Sequence, residues 1–120
     1  MKCSVIDEKN KIAQVISDTP VVIDIPSALD LIATLSYETD CHKAILTKAL
    51  FAEDFFQLKT KLAGEIIEKF VQYHVVVAIV GDFSVYQSES LAAFIRESNR
   101  GKHVFFLPSM EIALEKLRSL

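Results

Sequence analysis

One stretch of the sequence constrains the fold more than any other. Residues 75–80 are all apolar and mostly β-branched, and the run ends abruptly at Gly81 and Asp82. Such a run has no polar face to present to water, so it predicts a strand that is buried on both faces of a sheet. In open α/β sheets, ligands bind just beyond the carboxyl ends of such strands. The sequence therefore predicts an architecture and a working edge at Gly81 and Asp82, but no particular substrate or reaction.

Length and charge narrow the class of protein. The 120 residues fit one domain, residues 1–120, and the net charge of −3 with scattered basic residues gives no general attraction to nucleic acid or anionic lipid. No apolar run approaches the ~20 residues of a membrane helix, and the acidic residues after Met1 come too early for a secretory signal. Cys3 and Cys41 lack metal-ligand spacing, so we expect reduced thiols in a cytoplasmic protein without cofactor or metal.

Hydrophobic periodicity and turn residues predict strands alternating with helices. Strands are expected at residues 2–7, 11–17, 43–47, 75–80 and 104–107, with Val21–Ile23 as a possible further short strand. Helices are expected from Pro26–Ser27, over Glu53–His74, over Ser88–Asn99 with Gly101 at the C′ position, and after Pro108–Ser109.

Two details of the predicted helices can be checked. Ser27 is placed to cap the first helix, with Asp30 three residues on in the capping-box position. Gly64 lies inside the predicted helix Glu53–His74, the longest one, where it suggests the close approach of another backbone.

The order of elements predicts the fold class. It is an α/β domain with a mostly parallel five-stranded sheet and four helices, in the order β-β-α-β-α-β-α-β-α. The turn Glu8–Asn10 ties the first two strands into a hairpin, so only the first strand is expected to run antiparallel.

This order resembles the SpoIIAA-like fold of STAS domains, which include the anti-sigma-factor antagonists. The residues Val77–Asp82, Val104–Phe106 and Ala113 are similar to the layout of those proteins. Over nearly the whole chain, the segments Asp54–Glu65, Ala78–Ser84 and Glu97–Asn99 more closely resemble a bacterial family, domain of unknown function 4180. The resemblance implies the SpoIIAA/STAS-like fold and a bacterial cytosolic setting, and it carries no established activity.

The third predicted strand departs from the anti-sigma-factor antagonists. In those proteins it leads into an Asp-Ser-Ser-Gly-type turn whose serine is phosphorylated. Here the strand ends at Thr47 and is followed by Lys48-Ala49-Leu50-Phe51, so the phosphorylation switch is not carried over to this chain.

Asp82 is the leading candidate site residue. Gly81 lets a ligand approach the backbone, and a carboxylate at position 82 can orient a hydroxyl, bind a cation or act as a base. The alternative, which is favoured, is that Asp82 caps the following turn and has a structural role.

Two other groups of residues each have two interpretations. Lys59 and Thr60 can meet an anion if they begin a helix, but no glycine-rich loop precedes them, so a solvated face is favoured. Phe51, Phe55 and Phe56 can form a hydrophobic lip or self-association patch, or can hold a loop on the core, and both interpretations stay open.

His42, His74 and His103 each precede a strand, which puts them at the edge opposite Asp82.

Two function hypotheses follow. The favoured one is a non-catalytic regulatory or binding module, with a regulatory protein, a second copy of the chain or a small ligand as partner. The alternative is a small enzyme that uses Asp82 with Lys59 or Glu97. The candidate ligand-binding or interaction residues are Asp54, Phe55, Phe56, Lys59, Thr60, Gly81, Asp82 and Ser84.

Overall fold

The computed structural model describes residues 1–57 and 60–120. The strands among these residues are β1 (Lys2–Asp7), β2 (Ile12–Ile16), β3 (Lys43–Thr47), β4 (Val76–Val80) and β5 (Val104–Leu107). The α-helices are α1 (Ile25–Thr39), α2 (Leu62–Gln72), α3 (Glu89–Arg100) and α4 (Met110–Arg118). Two short 3₁₀ turns, Lys48–Leu50 and Glu53–Phe56, follow β3.

The strands form one five-stranded sheet in the order β1-β2-β3-β4-β5. β1 pairs with β2 antiparallel, and the other pairings are parallel, which confirms the predicted topology. β4 pairs with a strand on each side, in a register that aligns Val80 with Thr47 and with Leu107. Because these three strands run the same way, their carboxyl ends meet at one edge of the sheet.

The helices cover the two faces of the sheet unequally. The strands are added in one direction along the sheet, so right-handed crossovers bring α1, α2 and α3 to the same face. Val77 and Ile79 of β4 belong to the large core on that face, whereas Ala78 packs in a smaller core with Ala113 and Leu117 of α4. β4 is therefore buried on both faces, as its composition predicts.

The start of α1 corrects the predicted cap. The N-cap is Asp24, whose Oδ1 accepts a hydrogen bond from Ser27 N at 2.9 Å, while Ser27 Oγ accepts one from Asp24 N at 3.0 Å. Ser27 is thus the third helical residue of a reciprocal capping box and not the cap itself. The helix can include Pro26 because an N–H in the first turn has no partner within the helix. Ser88 and Ser109 cap α3 and α4, whose positions are close to those predicted.

The single long helix predicted over Glu53–His74 is wrong. The chain forms the 3₁₀ turn Glu53–Phe56 and begins α2 only at Leu62, and the longest helix is α1 with 15 residues. Phe51, Phe55 and Phe56 are all buried, and burying three large aromatic residues so close in sequence requires more than one face of a regular helix. Tertiary burial has therefore overridden the local helical periodicity.

Three smaller predictions about local structure also need correction. Val21–Ile23 is not a strand, since only Val22 forms an isolated bridge, to Phe51. Among the described residues outside its own helical turn, no atom lies within 4 Å of the place where a Cβ of Gly64 would lie, so the close backbone approach is not found there. Gly101 follows α3 in an extended conformation with φ −85°, not in the left-handed one that a C′ glycine commonly adopts.

The side chain of Asn99 occupies the outer edge of β5. Its Oδ1 accepts a hydrogen bond from Phe106 N at 2.7 Å, and its Nδ2 donates to Phe106 O at 3.1 Å. One amide side chain thus pairs with both backbone groups of Phe106, as a neighbouring strand would.

We expect Asn99→Ala to lower the free energy of unfolding by about 1–3 kcal/mol, because both polar groups of the partly buried Phe106 backbone lose their partner. Asn99→Asp keeps the acceptor but sets a carboxylate oxygen against Phe106 O, so a loss of the same order is expected. Denaturant unfolding measures both variants, with the exposed amide variant Gln72→Ala as control, for which a change within about 0.5 kcal/mol is expected. A stability of Asn99→Ala equal to that of the control would contradict the proposed role of the amide.

Candidate functional site

The carboxyl edge of the sheet brings together two segments that are far apart in sequence. Residues 48–57 follow β3, and residues 81–88 connect β4 to α3. β3 and β4 are neighbours in register, so these segments lie side by side where the strands end. The candidate residues Asp54, Gly81, Asp82 and Ser84 belong to these segments.

Gly81 is a point of close approach between the two segments. A Cβ built on Gly81 would lie 2.6 Å from Lys48 Cβ, which is too close for any real side chain. The obstacle is the root of the lysine side chain, which cannot move away without moving the backbone. Glycine is therefore required here by a close contact within the protein, and not by a positive φ.

Asp82 is held by Ser84 in a local turn. Asp82 Oδ1 accepts hydrogen bonds from Ser84 N at 2.9 Å and from Ser84 Oγ at 2.5 Å. These hydrogen bonds, the hydroxyl first, hold the pKa of the Asp82 carboxyl below its ordinary value of 3.8. A carboxylate that is so stabilised is a weak base, and this turn is the structural role weighed for Asp82 in the sequence.

The side chain of Lys48, at the start of the first segment, contacts the second segment. Its Nζ donates a hydrogen bond to Asp82 O at 3.3 Å and lies 4.5 Å from the centre of the Tyr86 ring. The second distance is that of a cation–π contact. The lysine thus joins the end of β3 to the loop that follows β4.

Tyr86 connects this loop to Glu53, the first residue of the second 3₁₀ turn after β3. Its hydroxyl donates to the carboxylate of Glu53, at 3.1 Å from Oε1 and 3.3 Å from Oε2. Burial, and then the hydrogen bond to Glu53, raise the pKa of Tyr86 to about 12. The phenol therefore stays protonated across the physiological range and acts as a hydrogen-bond donor.

The phenylalanines lie beneath these polar groups. Phe51, Phe55 and Phe56 are 1–4% exposed, and the rings of Phe55 and Phe56 have centroids 5.1 Å apart. Phe56 stacks on Tyr86 with centroids 5.3 Å apart, and Phe83 packs edge-on against Phe106. Of the two interpretations left open, burial favours the one in which these residues attach the loop to the core.

A groove opens beside the cluster formed by Lys48, Tyr86 and Glu53, between the loop of residues 81–88 and the start of α3. Its volume is about 770 Å³. The base is apolar and the walls carry amide and hydroxyl side chains; the lining residues are Phe56, Gln57, Tyr86, Gln87, Ser88, Ser90 and Leu91.

Some of the candidate residues are not brought to this groove. Lys59 lies outside the described residues. Thr60 precedes α2, where its hydroxyl donates to Gln57 O at 2.8 Å and contacts Asp54 O at 3.2 Å. Glu97 lies on α3 eight residues after Glu89, about 12 Å further along the helix axis. No hydrogen bond between described residues joins Asp82 to Glu97.

Reasoning from the sequence missed three residues of the cluster: Lys48, Glu53 and Tyr86. Lys48 directly follows a predicted strand, and that position at the working edge is the signal that could have found it. Tyr86 is the aromatic residue of the mostly polar segment Ser84–Ser90, in which Val85 is the other apolar residue. That contrast indicates a loop residue that packs inward, but nothing in the sequence connects it to Glu53.

The opposite edge of the sheet carries the histidines. His42, His74 and His103 each lie within two residues of the start of a strand, and His103 Nδ1 is buried without a hydrogen-bond partner among the described residues. Within residues 1–57 and 60–120, no three His, Cys, Asp or Glu side chains are grouped closely enough to hold a metal ion. No helix in the described part of the chain has the length and apolar character needed to span a membrane.

The fold and the groove define a single α/β domain with a loop-lined cleft at the carboxyl edge of its sheet. The family model for a domain of unknown function (DUF4180) matches residues 7–117, and the chain belongs to that family. No curated protein and no solved structure matches the chain.

Alanine substitutions at Gly64 and Gly81 offer a test, because the expected changes in the free energy of unfolding have opposite signs. Gly64→Ala should raise the free energy of unfolding by up to about 1 kcal/mol, because a helical alanine there meets open space. Gly81→Ala should lower it by about 1–3 kcal/mol, because the new Cβ overlaps Lys48 Cβ. In a double-mutant cycle, Lys48→Gly should recover part of the loss and Lys48→Ala, which keeps the Cβ, should not. Equal recovery by both lysine variants would show that the clash is elsewhere.

The turn at Asp82 gives a pH-dependent prediction. The pKa of the Asp82 carboxyl is lower in the folded protein than in the unfolded chain, so folding favours the charged carboxylate. The hydrogen-bonded carboxylate therefore contributes to the stability of the fold above about pH 3.8. This contribution is lost as the pH falls through the pKa of the folded protein. Ser84→Ala removes the larger of the two hydrogen-bond effects, and the pKa of Asp82 should rise toward 3.8. NMR titration of the Asp82 carboxyl carbon measures this, with Ser90→Ala as control. An unchanged titration in Ser84→Ala would contradict the assignment.

Proposed function

We propose that this domain is a non-catalytic regulatory module of the bacterial cytoplasm that binds a protein partner through the groove at the carboxyl edge of its sheet. The observation that carries the proposal is the groove of about 770 Å³ beside the Lys48–Tyr86–Glu53 cluster. Its position beyond the carboxyl ends of parallel strands is the usual place for binding in sheets of this kind.

The lining of the groove supports a polypeptide as the bound partner. Gln57, Gln87, Ser88 and Ser90 offer amide and hydroxyl groups that can both donate and accept hydrogen bonds. Phe56 and Leu91 supply an apolar base. This combination of an apolar centre and a neutral polar rim suits a segment of polypeptide, whose backbone also donates and accepts.

The chemistry of the cluster supports binding over catalysis. Asp82 has a lowered pKa and is occupied by Ser84, and Tyr86 has a raised pKa, so neither is poised to exchange a proton near neutral pH. The enzymatic alternative requires Lys59 or Glu97 beside Asp82, and Glu97 lies more than two helical turns from the start of α3. These observations favour the module.

The likeness to SpoIIAA-like STAS domains also belongs to this proposal. It is supported by the element order, by the antiparallel first strand and by three successive helices on one face of the sheet. The cytoplasmic setting is supported by Cys3 and Cys41, which are both free and buried. The protein partner is either a separate regulatory protein or a second copy of this chain.

The first test identifies the partner. A photo-crosslinking amino acid replaces Gln87 in the groove or, as control, the exposed Gln72 at the end of α2. We expect a crosslinked protein from position 87 that is absent from position 72. A crosslink to the chain itself would identify a second copy as the partner.

The second test ties the partner to the groove. With the purified partner, Ser90→Arg should weaken binding by at least about tenfold, because the long side chain fills the groove. Ala92→Arg is the matched control, since residue 92 is exposed, lies in the same turn of α3 and is rotated about 200° from Ser90. Binding of the partner at equal strength to both variants would contradict the proposal. So would turnover of a substrate by the purified chain that is lost in Asp82→Asn.

A further inference from the structure

A second, more apolar pocket lies at the opposite edge of the sheet. Its volume is about 380 Å³, within the range of small-molecule sites in proteins. Ile32 of α1 and the segment around Cys41 and Val75 form its buried base. Leu29 and Ala33 of α1 form one wall.

The course of the chain explains why this space is open. Asp40 at the end of α1 and His74 after α2 both adopt the left-handed conformation, with φ values of 55° and 58°. At these residues the chain turns sharply from a helix into β3 and into the approach to β4. The short connections Cys41–His42 and Tyr73–Val75 thereby border a cleft against α1, which no side chain of residues 1–57 or 60–120 fills.

We propose that this pocket is a second binding site, for a small, neutral and mainly apolar molecule that carries one hydrogen-bonding group. Among the described residues, no Asp, Glu, Lys or Arg side chain lines the pocket. A charged ligand would lose part of its hydration there without gaining a counter-ion, so a neutral ligand is preferred.

The rim of the pocket accounts for the hydrogen-bonding group. Ser36, His42 and Tyr73 bring a hydroxyl, an imidazole and a phenol to the mouth of the pocket, and all three side chains are exposed. Each can donate or accept a hydrogen bond. An apolar base with a few polar groups at the mouth orients a ligand that has one polar end.

This site is separate from the groove of the proposed function. The parallel strands β3 and β4 run from one site to the other, and each contains five residues, a length of about 16 Å. The two sites share no lining residue. The proposal of this second site therefore does not depend on the proposed function of the groove.

Phenol is a suitable probe, because it is a small neutral ring with one hydroxyl group. Titration of the full chain with phenol, followed by methyl NMR, should give saturable shifts at Leu29, Ile32 and Val75. Benzene should bind about two- to tenfold more weakly, because it lacks the hydrogen bond to the rim.

Paired variants connect the binding to this pocket. Ala33→Phe should weaken phenol binding by at least about tenfold by filling the pocket, whereas Ala92→Phe on the exposed face of α3 should leave it within about twofold. The groove variant Ser90→Arg should also bind phenol normally. Circular dichroism and thermal unfolding confirm that each variant is folded.

Three results would overturn the inference. The first is the absence of saturable shifts at the three methyl-bearing residues, and the second is equal binding by Ala33→Phe and Ala92→Phe. The third is a shift of the same methyl resonances with protein concentration alone, which would assign this face to contact between copies of the chain.

Discussion

The structure depends on the insertion of β4 between β3 and β5 with both of its faces buried. Val77 and Ile79 face the core under α1, α2 and α3, and Ala78 faces the core under α4. No polar side chain can replace these residues without being buried, so the position of the strand and the place where it ends are determined together. The end of β4 then sets Gly81 against Lys48, and this contact joins the two segments that form the carboxyl edge.

The elements that could be predicted are those in which local pattern and tertiary environment agree. The strand at 75–80, the hairpin of β1 and β2, and α4 with its apolar stripe all have a hydrophobic period that matches the surface they bury. The turn Glu53–Phe56 could not be predicted, because the periodicity of this part of the sequence favours a helix while the burial of Phe55 and Phe56 requires a tighter turn. The cap of α1 was misplaced by three residues because Asp24 and Ser27 are both good cap residues, and only the geometry shows which one precedes the helix.

The position of Gly81 and Asp82 at the carboxyl edge of the sheet could be predicted, but the contacts around them could not. Gly81 and Asp82 lie at the expected edge, since strand direction alone determines which ends of the strands meet. The pairing of Tyr86 with Glu53 joins residues 33 positions apart, and no local pattern encodes such a contact. The hydrogen bonds that Ser84 donates also determine the chemistry of Asp82, because they hold its carboxylate within its own loop.

The side chain of Asn99 has a consequence for how this domain can associate. By pairing with both backbone groups of Phe106, it obstructs an incoming strand at the outer edge of β5. At the other edge of the sheet, the pairing of β1 with β2 is irregular, with a bulge between Val5 and Asp7. Strand-by-strand growth of the sheet from one molecule into the next is therefore obstructed at one edge and disfavoured by irregular pairing at the other. The specific contacts of the chain are then left to its loops and helices.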